Sequence, residues 1–261
     1  MFSKVKDLGY EFLWNIRNRR YPAPRSEDIG DKIVKIFVIT HKDDDLPPVF
    51  ANRDVYIPLR VGNAVNPTAR KDWLVDDEGE NISAYNPLIN EMTGIWWVAK
   101  HYEELGDPDY VGFMHYRRFL QWSPGLLKQG HVISTSGTSI HQLATLDASL
   151  HLDLFRAEFA KRLPSDVLKD YDEYWRSHTL YYANMFITDK SSFFRYFGIL
   201  SQCIEFVLEM IDRNAIDLSK ANSYDRRLYG FYLERITSFC ICRAKRAGRI
   251  VNVNTRVDFL G

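Results

Sequence analysis

The sequence lacks an unbroken apolar run of the roughly eighteen residues that a bilayer requires, so no membrane-spanning helix is expected. No apolar stretch follows Met1-Phe-Ser-Lys-Val-Lys-Asp7, so no secretory leader is expected either. Its 3 cysteines, Cys203, Cys240 and Cys242, are too few and wrongly spaced for a disulfide framework or a zinc site. They read as buried thiols of a reducing cytoplasm. Neither charge is in excess: Lys+Arg and Asp+Glu each total 34, and nothing global points to nucleic acid. No Gly-x-Gly-x-x-Gly and no phosphate-loop glycine pattern occurs, which argues against a Rossmann dehydrogenase or a kinase. There is no internal repeat and no low-complexity segment. What is present is apolar bulk. Hydrophobic residues make up 46% and aromatics 14% of 261 residues, enough for one large core or two small ones.

Taken in order, residues 1–20 predict an amphipathic helix, with Phe2, Val5, Leu8, Phe12 and Ile16 recurring at three- and four-residue spacing. Its basic residues suit peripheral contact with an anionic membrane surface. Asp7 and Glu11 dilute that face and suit packing on the body or on a partner instead. Tyr21-Pro-Ala-Pro24 breaks the helix, and residues 1–30 are set apart from a single domain at 31–261. Ile33 to Thr40 is a β-branched strand of the kind buried in a parallel sheet. It ends in Thr40-His41, where a nucleotide is received in doubly wound folds. A second strand runs from Val55 to Gly62. Asp76 to Ser83 reads as a polar loop, followed by one helix from Asn86-Pro87 to about His101 with a Leu88, Met92, Ile95, Ala99 stripe. After Phe119 the pattern turns mainly helical: a short strand at 131–134, helical stretches at 139–163 and 166–177, a strand at 180–187, helices at about 191–213 and 224–247, and a closing strand at 249–253.

The most informative stretch is Tyr110-Val-Gly-Phe-Met-His-Tyr-Arg-Arg-Phe119. Gly106-Asp-Pro-Asp109 is a turn, and the apolar run after it has the density of a strand buried on both faces. His115, Arg117 and Arg118 then fall at that strand's C-terminal end, where ligands bind in open α/β sheets. Guanidiniums there either pair with structural carboxylates and water, or meet an anion such as a phosphate, whose oxygens their planar fork matches. Three Asp-x-Asp matches, at 43–45, 107–109 and 170–172, read as solvated acids and not as a metal site.

Several of these segments together resemble a known family. Lys35-Ile-Phe-Val-Ile-Thr-His-Lys42, Gly79-Glu-Asn-Ile-Ser83 with Asn86, Asn90-Glu-Met-Thr-Gly94, Tyr110 to Phe119, Ala183-Asn-Met-Phe-Ile187 and Arg227-Leu-Tyr-Gly-Phe-Tyr-Leu-Glu-Arg235 are similar to motifs of bacterial capsular or exopolysaccharide biosynthesis proteins. That family was long catalogued as a domain of unknown function and is treated as glycosyltransferases. The resemblance covers about residues 33–253. It implies a GT-A-like α/β fold, with a mostly parallel central sheet flanked by helices and a helix-rich C-terminal half. Two departures stand out: Glu80 and His131 occupy positions where many members carry Asp.

The resemblance implies a nucleotide-sugar donor, a UDP-sugar and in some members UDP-galactofuranose, with a glycan or lipid-linked glycan as acceptor. Donor-side candidates are Thr40, His41, Gly62, Asn81, Ser83, Asn86 and Glu91; acceptor-side candidates are Asn184, Arg227 and Arg235. Catalytic candidates are His115, Arg117, Arg118, Asp153 and Glu234, of which Asp153, His115 and Glu234, together with His151, have the chemistry of a base. Asn81, Ser83 and Asn86 equally suit loop and cap bonding. Glu91 equally suits an ion pair with Arg117 or Arg118. Arg227, Glu234 and Arg235 read as lying on one helix, with Arg227 and Glu234 on a shared face. No metal and no other cofactor is expected, the arginines supplying the positive charge at the strand end. The expected setting is cytoplasmic, with peripheral membrane contact through residues 1–20 as one of the two readings of that helix. Two rivals remain at this point: a non-catalytic glycan- or nucleotide-binding subunit, and a phosphatase or sugar-phosphate transferase.

Overall fold

A computed structural model describes residue 24 and residues 26–137, 151–176 and 180–260. The predicted helix at 1–20 and the stretch 139–150 lie outside the described residues. A short helix, α1 (Ser26–Ile29), precedes strand β1 (Val34–Thr40). Then come β2 (Tyr56–Arg60), β3 (Leu74–Val75), helices α2 (Asn86–Ile89) and α3 (Met92–Lys100), β4 (Tyr110–His115), β5 (Arg118–Leu120) and β6 (His131–Gly137). The second half comprises α4 (Leu152–Arg162), α5 (Ser165–Trp175), β7 (Leu180–Asp189), α6 (Lys190–Asp212), α7 (Leu228–Arg246), β8 (Val251–Asn254) and β9 (Val257–Phe259).

The strands form one sheet in the order β3-β2-β1-β4-β7-β6-β8, with β5 on β4 and β9 on β5. The expected α/β fold with a helix-flanked central sheet is present. Strands β3-β2-β1-β4 are parallel, as is the β6–β8 pair, whereas β7 runs antiparallel to both β4 and β6. Alternation along the strands divides the core. Phe37, Ile39, Val111, Phe113, Val132 and Phe186 face the layer built by α3 to α7. Ile36, Val38, Met114, Ile133 and Ile187 face a second layer closed by Ile29, Phe50 and Trp122. Two residues in register share a face because the side-chain period of a strand is 2.

The long helices end where chemistry requires. Asp189 caps α6, its carboxylate accepting from the Ser192 amide at 3.0 Å. Asn214 takes a left-handed φ of 49° just past that helix's end, and Gly248 (φ 64°) does the same past α7. The single helix predicted over 86–101 is two helices. Asn90 stands between them with φ 55°, a conformation that Asn tolerates better than most residues and that ends α2. The Tyr110–Phe119 stretch also differs from expectation. It is a strand, a tight turn at Tyr116-Arg117, and a return strand in which Arg118 sits opposite His115. No helix among the described residues is long and apolar enough to cross a membrane.

Candidate active site

The C-terminal ends of β1, β2 and β4 open onto the junction of α2 and α3. Gly94 fixes this approach: a Cβ there would lie 2.7 Å from Val61 Cγ1 and 3.1 Å from Leu59 Cδ2. The start of α3, just before Gly94, therefore projects past the strand ends. The start of α7 meets it there. Gly230 lies against Asn90 so closely that a Cβ would come within 2.0 Å of Asn90 Nδ2. Arg227 Nε donates to Asn90 Oδ1 at 2.6 Å. Arg227 does not share a helix with Glu234 and Arg235, contrary to the sequence reading. It occupies the 3-10 turn Asp225–Arg227 just before α7, so the shared helical face does not form.

Positive charge gathers at this edge. Burial lowers the His41 pKa first, and the cations Arg60, Lys42, Arg117 and Arg227 lower it further. His41 is thus a neutral imidazole at neutral pH, edge-on to Tyr116 with ring centroids 5.5 Å apart. Arg117 lies over the same Tyr116 ring at 5.6 Å, and Lys42 over it at 5.8 Å. Arg118 lies over Phe259 at 5.6 Å. Among the described residues Arg117, Arg118 and Arg227 make no ion pair with a carboxylate. The buried Arg60, in contrast, is matched: its Nε is 3.2 Å from Asp43, too poorly aligned for a hydrogen bond, and its Nη2 donates to the Asn66 carbonyl at 3.1 Å.

Glu91, the residue preceding α3, makes no ion pair with these arginines. Its Oε1 accepts from Asn184 Nδ2 at 2.7 Å. Asn184 is 3% exposed and has φ 52° in the middle of β7. The β6–β7 register shifts there, between Ser134 and Ser136. Its other amide atom, Oδ1, is buried without a hydrogen-bond partner.

Other candidates build the walls. The Thr40 hydroxyl is buried and closes a turn with Lys42, accepting from its amide at 3.0 Å. Asn81 donates to the Asp77 and Gly79 carbonyls and accepts from the Ser83 amide. Asn86 donates to the Asn90 carbonyl at 2.7 Å and to Thr93 at 3.1 Å, and it packs on Gly62, whose φ is 69°. Ser83 is fully buried; its hydroxyl donates to Asp76 at 2.5 Å and accepts from the Ala64 amide at 3.1 Å. Asp76, read in sequence only as part of a polar loop, organises this corner. Fully buried, it accepts from the amides of Gly62 and Asn63 as well as from Ser83. Its place at the head of an acidic loop, Asp76-Asp-Glu-Gly-Glu80, was the signal available for it.

Three candidates lie elsewhere or are already engaged. Asp153 is exposed in the first turn of α4. Glu234 is 3.1 Å from Arg235, which is 6% exposed on the inner face of α7 with Nε and Nη1 short of hydrogen-bond partners. His115, half-buried, shares the helix-side face with Ile39 and Arg118. Of the Asp-x-Asp acids, Asp43 and Asp45 engage Thr68 and Arg70, Asp107 pairs with Lys190, and Asp170 and Asp172 pair with Arg243 and Arg156. Among the described residues no cluster of three or more His, Cys, Asp or Glu could hold a metal ion.

The fold is similar to the apo structure of WbbM, a bifunctional glycosyltransferase, at 22% identity and a TM-score of 0.59. The match covers 87% of this chain and 45% of that one, so the chain spans less than half of the protein it resembles. No curated protein matches the chain. Residues 35–150 and 126–245 match the model of the family described as "Domain of unknown function (DUF4422)", and the chain belongs to that family.

Proposed function

We propose that the chain is a glycosyltransferase that moves a sugar from a nucleotide-sugar donor, a UDP-sugar such as UDP-galactofuranose, onto a capsule, exopolysaccharide or O-antigen-type glycan. One observation carries the proposal. Among the described residues Arg117, Arg118 and Arg227 have no carboxylate partner; the charges of Arg117 and Arg227 reach a neutral His41, and Arg118 follows at the same strand end, the edge where ligands bind in open α/β sheets. Arg117 is exposed and Arg118 and Arg227 are half-buried, so an approaching anion meets guanidiniums that no carboxylate among the described residues already holds. A diphosphate supplies two phosphates of negative charge, and arginine forks suit its oxygens. As the glycosidic bond breaks, the leaving diphosphate gains charge, so fixed guanidiniums act most strongly in the transition state. The likeness to WbbM supports the fold on which this chemistry would run.

In this proposal Arg117 and Arg118 take the place of a divalent ion at the strand end, and the transferase needs no metal. His41 faces the donor's nucleoside. Gly62, Asn81, Ser83 and Asn86 hold the loops that frame the donor. Arg227, tied to Asn90, borders the acceptor side with Arg235 and Glu234. The test is a thermal-shift panel of UDP-, GDP-, CDP-, ADP- and dTDP-sugars. Stabilisation by one nucleotide class is expected; stabilisation by none overturns the transferase and favours a glycan-binding subunit.

A further inference from the structure

We propose that Glu91 is the catalytic base of the transfer reaction and that Asn184 is its positioning residue; this rests on the transferase reading above. Of the carboxylates around the site, Asp76 is fully buried and accepts from two amides and a hydroxyl. Asp43 is bound to Thr68 and Arg60, Glu234 to Arg235, and Asp153 is exposed in the first turn of α4. Glu91 is half-buried with Asn184 as its one hydrogen-bond partner among the described residues, whereas Asp77, also half-buried, has both oxygens held by Asn63 Nδ2. The second oxygen of Glu91, Oε2, makes no hydrogen bond or ion pair among the described residues. The choice of partner matters. An arginine fork would occupy both carboxylate oxygens, whereas the single amide of Asn184 orients Oε1 and leaves Oε2 to meet a substrate.

Asn184 carries two unfavourable features at once, a left-handed backbone inside a strand and a buried amide oxygen with no partner. They coincide with the register shift of β6 on β7 and with the Nδ2 donated to Glu91 Oε1. Strained, unsatisfied groups persist where the surrounding structure over-determines them, and such groups cluster at active sites. Glu91 is also one residue from Asn90, which anchors Arg227, a cation whose field reaches His41. Base and cations therefore border one opening.

The step balances as a single displacement. The acceptor hydroxyl oxygen bonds to the anomeric carbon while its proton passes to Glu91 Oε2. The bond from that carbon to the diphosphate oxygen breaks, and its electron pair leaves with the nucleoside diphosphate toward Arg117 and Arg118. The product is a glycoside of inverted configuration.

Donor hydrolysis, with water in the acceptor's place, reads the same proton transfer without the natural glycan. The probes are UDP, GDP, CDP, ADP and dTDP for binding by calorimetry, and the corresponding nucleotide sugars for turnover. Glu91→Gln keeps an acceptor for Asn184 and so preserves the fold. It should lower kcat by about a hundred- to ten-thousandfold and leave the nucleotide Kd unchanged. Asn184→Gly keeps the left-handed backbone and removes the amide. It should lower kcat without raising KM, and should add nothing further in the Glu91→Gln background, as expected for residues acting as a unit. Unchanged turnover in Glu91→Gln, loss of nucleotide affinity in that variant, or a released sugar of retained configuration each overturns the assignment. Wild-type protein that binds none of the five nucleotides overturns the transferase itself, a distinguishable result.

Discussion

Gly230→Ala tests the contact that joins the two halves of the site. In an ordinary helix interior this change would stabilise by roughly 1 kcal/mol, because alanine is the better helix former. Here the new methyl would lie 2.0 Å from Asn90 Nδ2, 2.9 Å from Asn90 Cγ and 3.1 Å from the Ile89 carbonyl carbon. The Asn90 side chain can move, but its Oδ1 holds Arg227 Nε at 2.6 Å, so relief of the clash breaks that bond. A hydrogen bond to a charged group contributes about 1.5–3 kcal/mol. Subtracting the helix gain leaves a net loss of about 0.5–2 kcal/mol. Urea unfolding with an unchanged slope and a lowered midpoint is the expected result. In an Arg227→Ala background, where that bond is already gone, Gly230→Ala should cost far less. A midpoint that rises on Gly230→Ala alone would refute the reasoning, since helix propensity would then have decided the sign.

Arg117→Ala and Arg118→Ala should each slow sugar transfer by about a hundred- to a thousandfold, the usual effect of losing one transition-state donor. Lysine should recover only part of the loss. Transfer should survive exhaustive EDTA treatment, and activity that vanishes with EDTA and returns with Mn²⁺ would show that these arginines have another role. His101 should couple stability to pH. Its Nδ1 faces the Glu104 carboxylate at 2.7 Å and its Nε2 the Glu80 carbonyl at 3.0 Å, an arrangement that suits the doubly protonated ring. Burial opposes that charge, but the two acceptors and the nearby carboxylates outweigh it and raise the pKa. The stabilisation is complete below about pH 6.5, the ordinary value, and is lost as pH rises through the raised folded value. A urea midpoint that does not fall over that window, or falls equally in His101→Gln, would exclude the coupling. Asp76→Ala should destabilise the chain by about 3–5 kcal/mol, in line with the breaking of a buried polar network, measured as a drop in urea midpoint.

Strand and helix content were legible because burial writes itself into the sequence. Ile36 to Ile39 and Val111 to Met114 are apolar on both faces because both stretches lie between two core layers. The direction of β7 was not legible, since an apolar strand reads the same whichever way it runs. The break at Asn90 was hidden for a related reason. The apolar stripe continues across it, with Ile89, Met92 and Ile95 all buried, and only the positive φ interrupts the helix. At the site, the location of the arginines was legible from their position after a buried strand. The partnership of Glu91 with Asn184 was not, because 93 residues separate them and only the folded sheet brings them together. Asn81, Ser83 and Asn86 were visible as polar motif residues, but which groups their side chains bond depends on loops that leave no periodic trace.

The tie between Asn90 and Arg227 spans 137 positions, and that between Gln121 and Asp258 spans 137 as well. Central strand β4 takes its neighbour β7 from the second half of the chain. Contacts so distant in sequence make folding slow, because loop closure must precede the contacts that reward it. During synthesis β1, β2 and β4 emerge early, with one edge of β4 open until β7 arrives. That unpaired apolar edge is where an incomplete chain would aggregate. The edge at the strand ends is completed only when the start of α7 docks on Asn90 and brings Arg227, so this region is assembled near the end of folding.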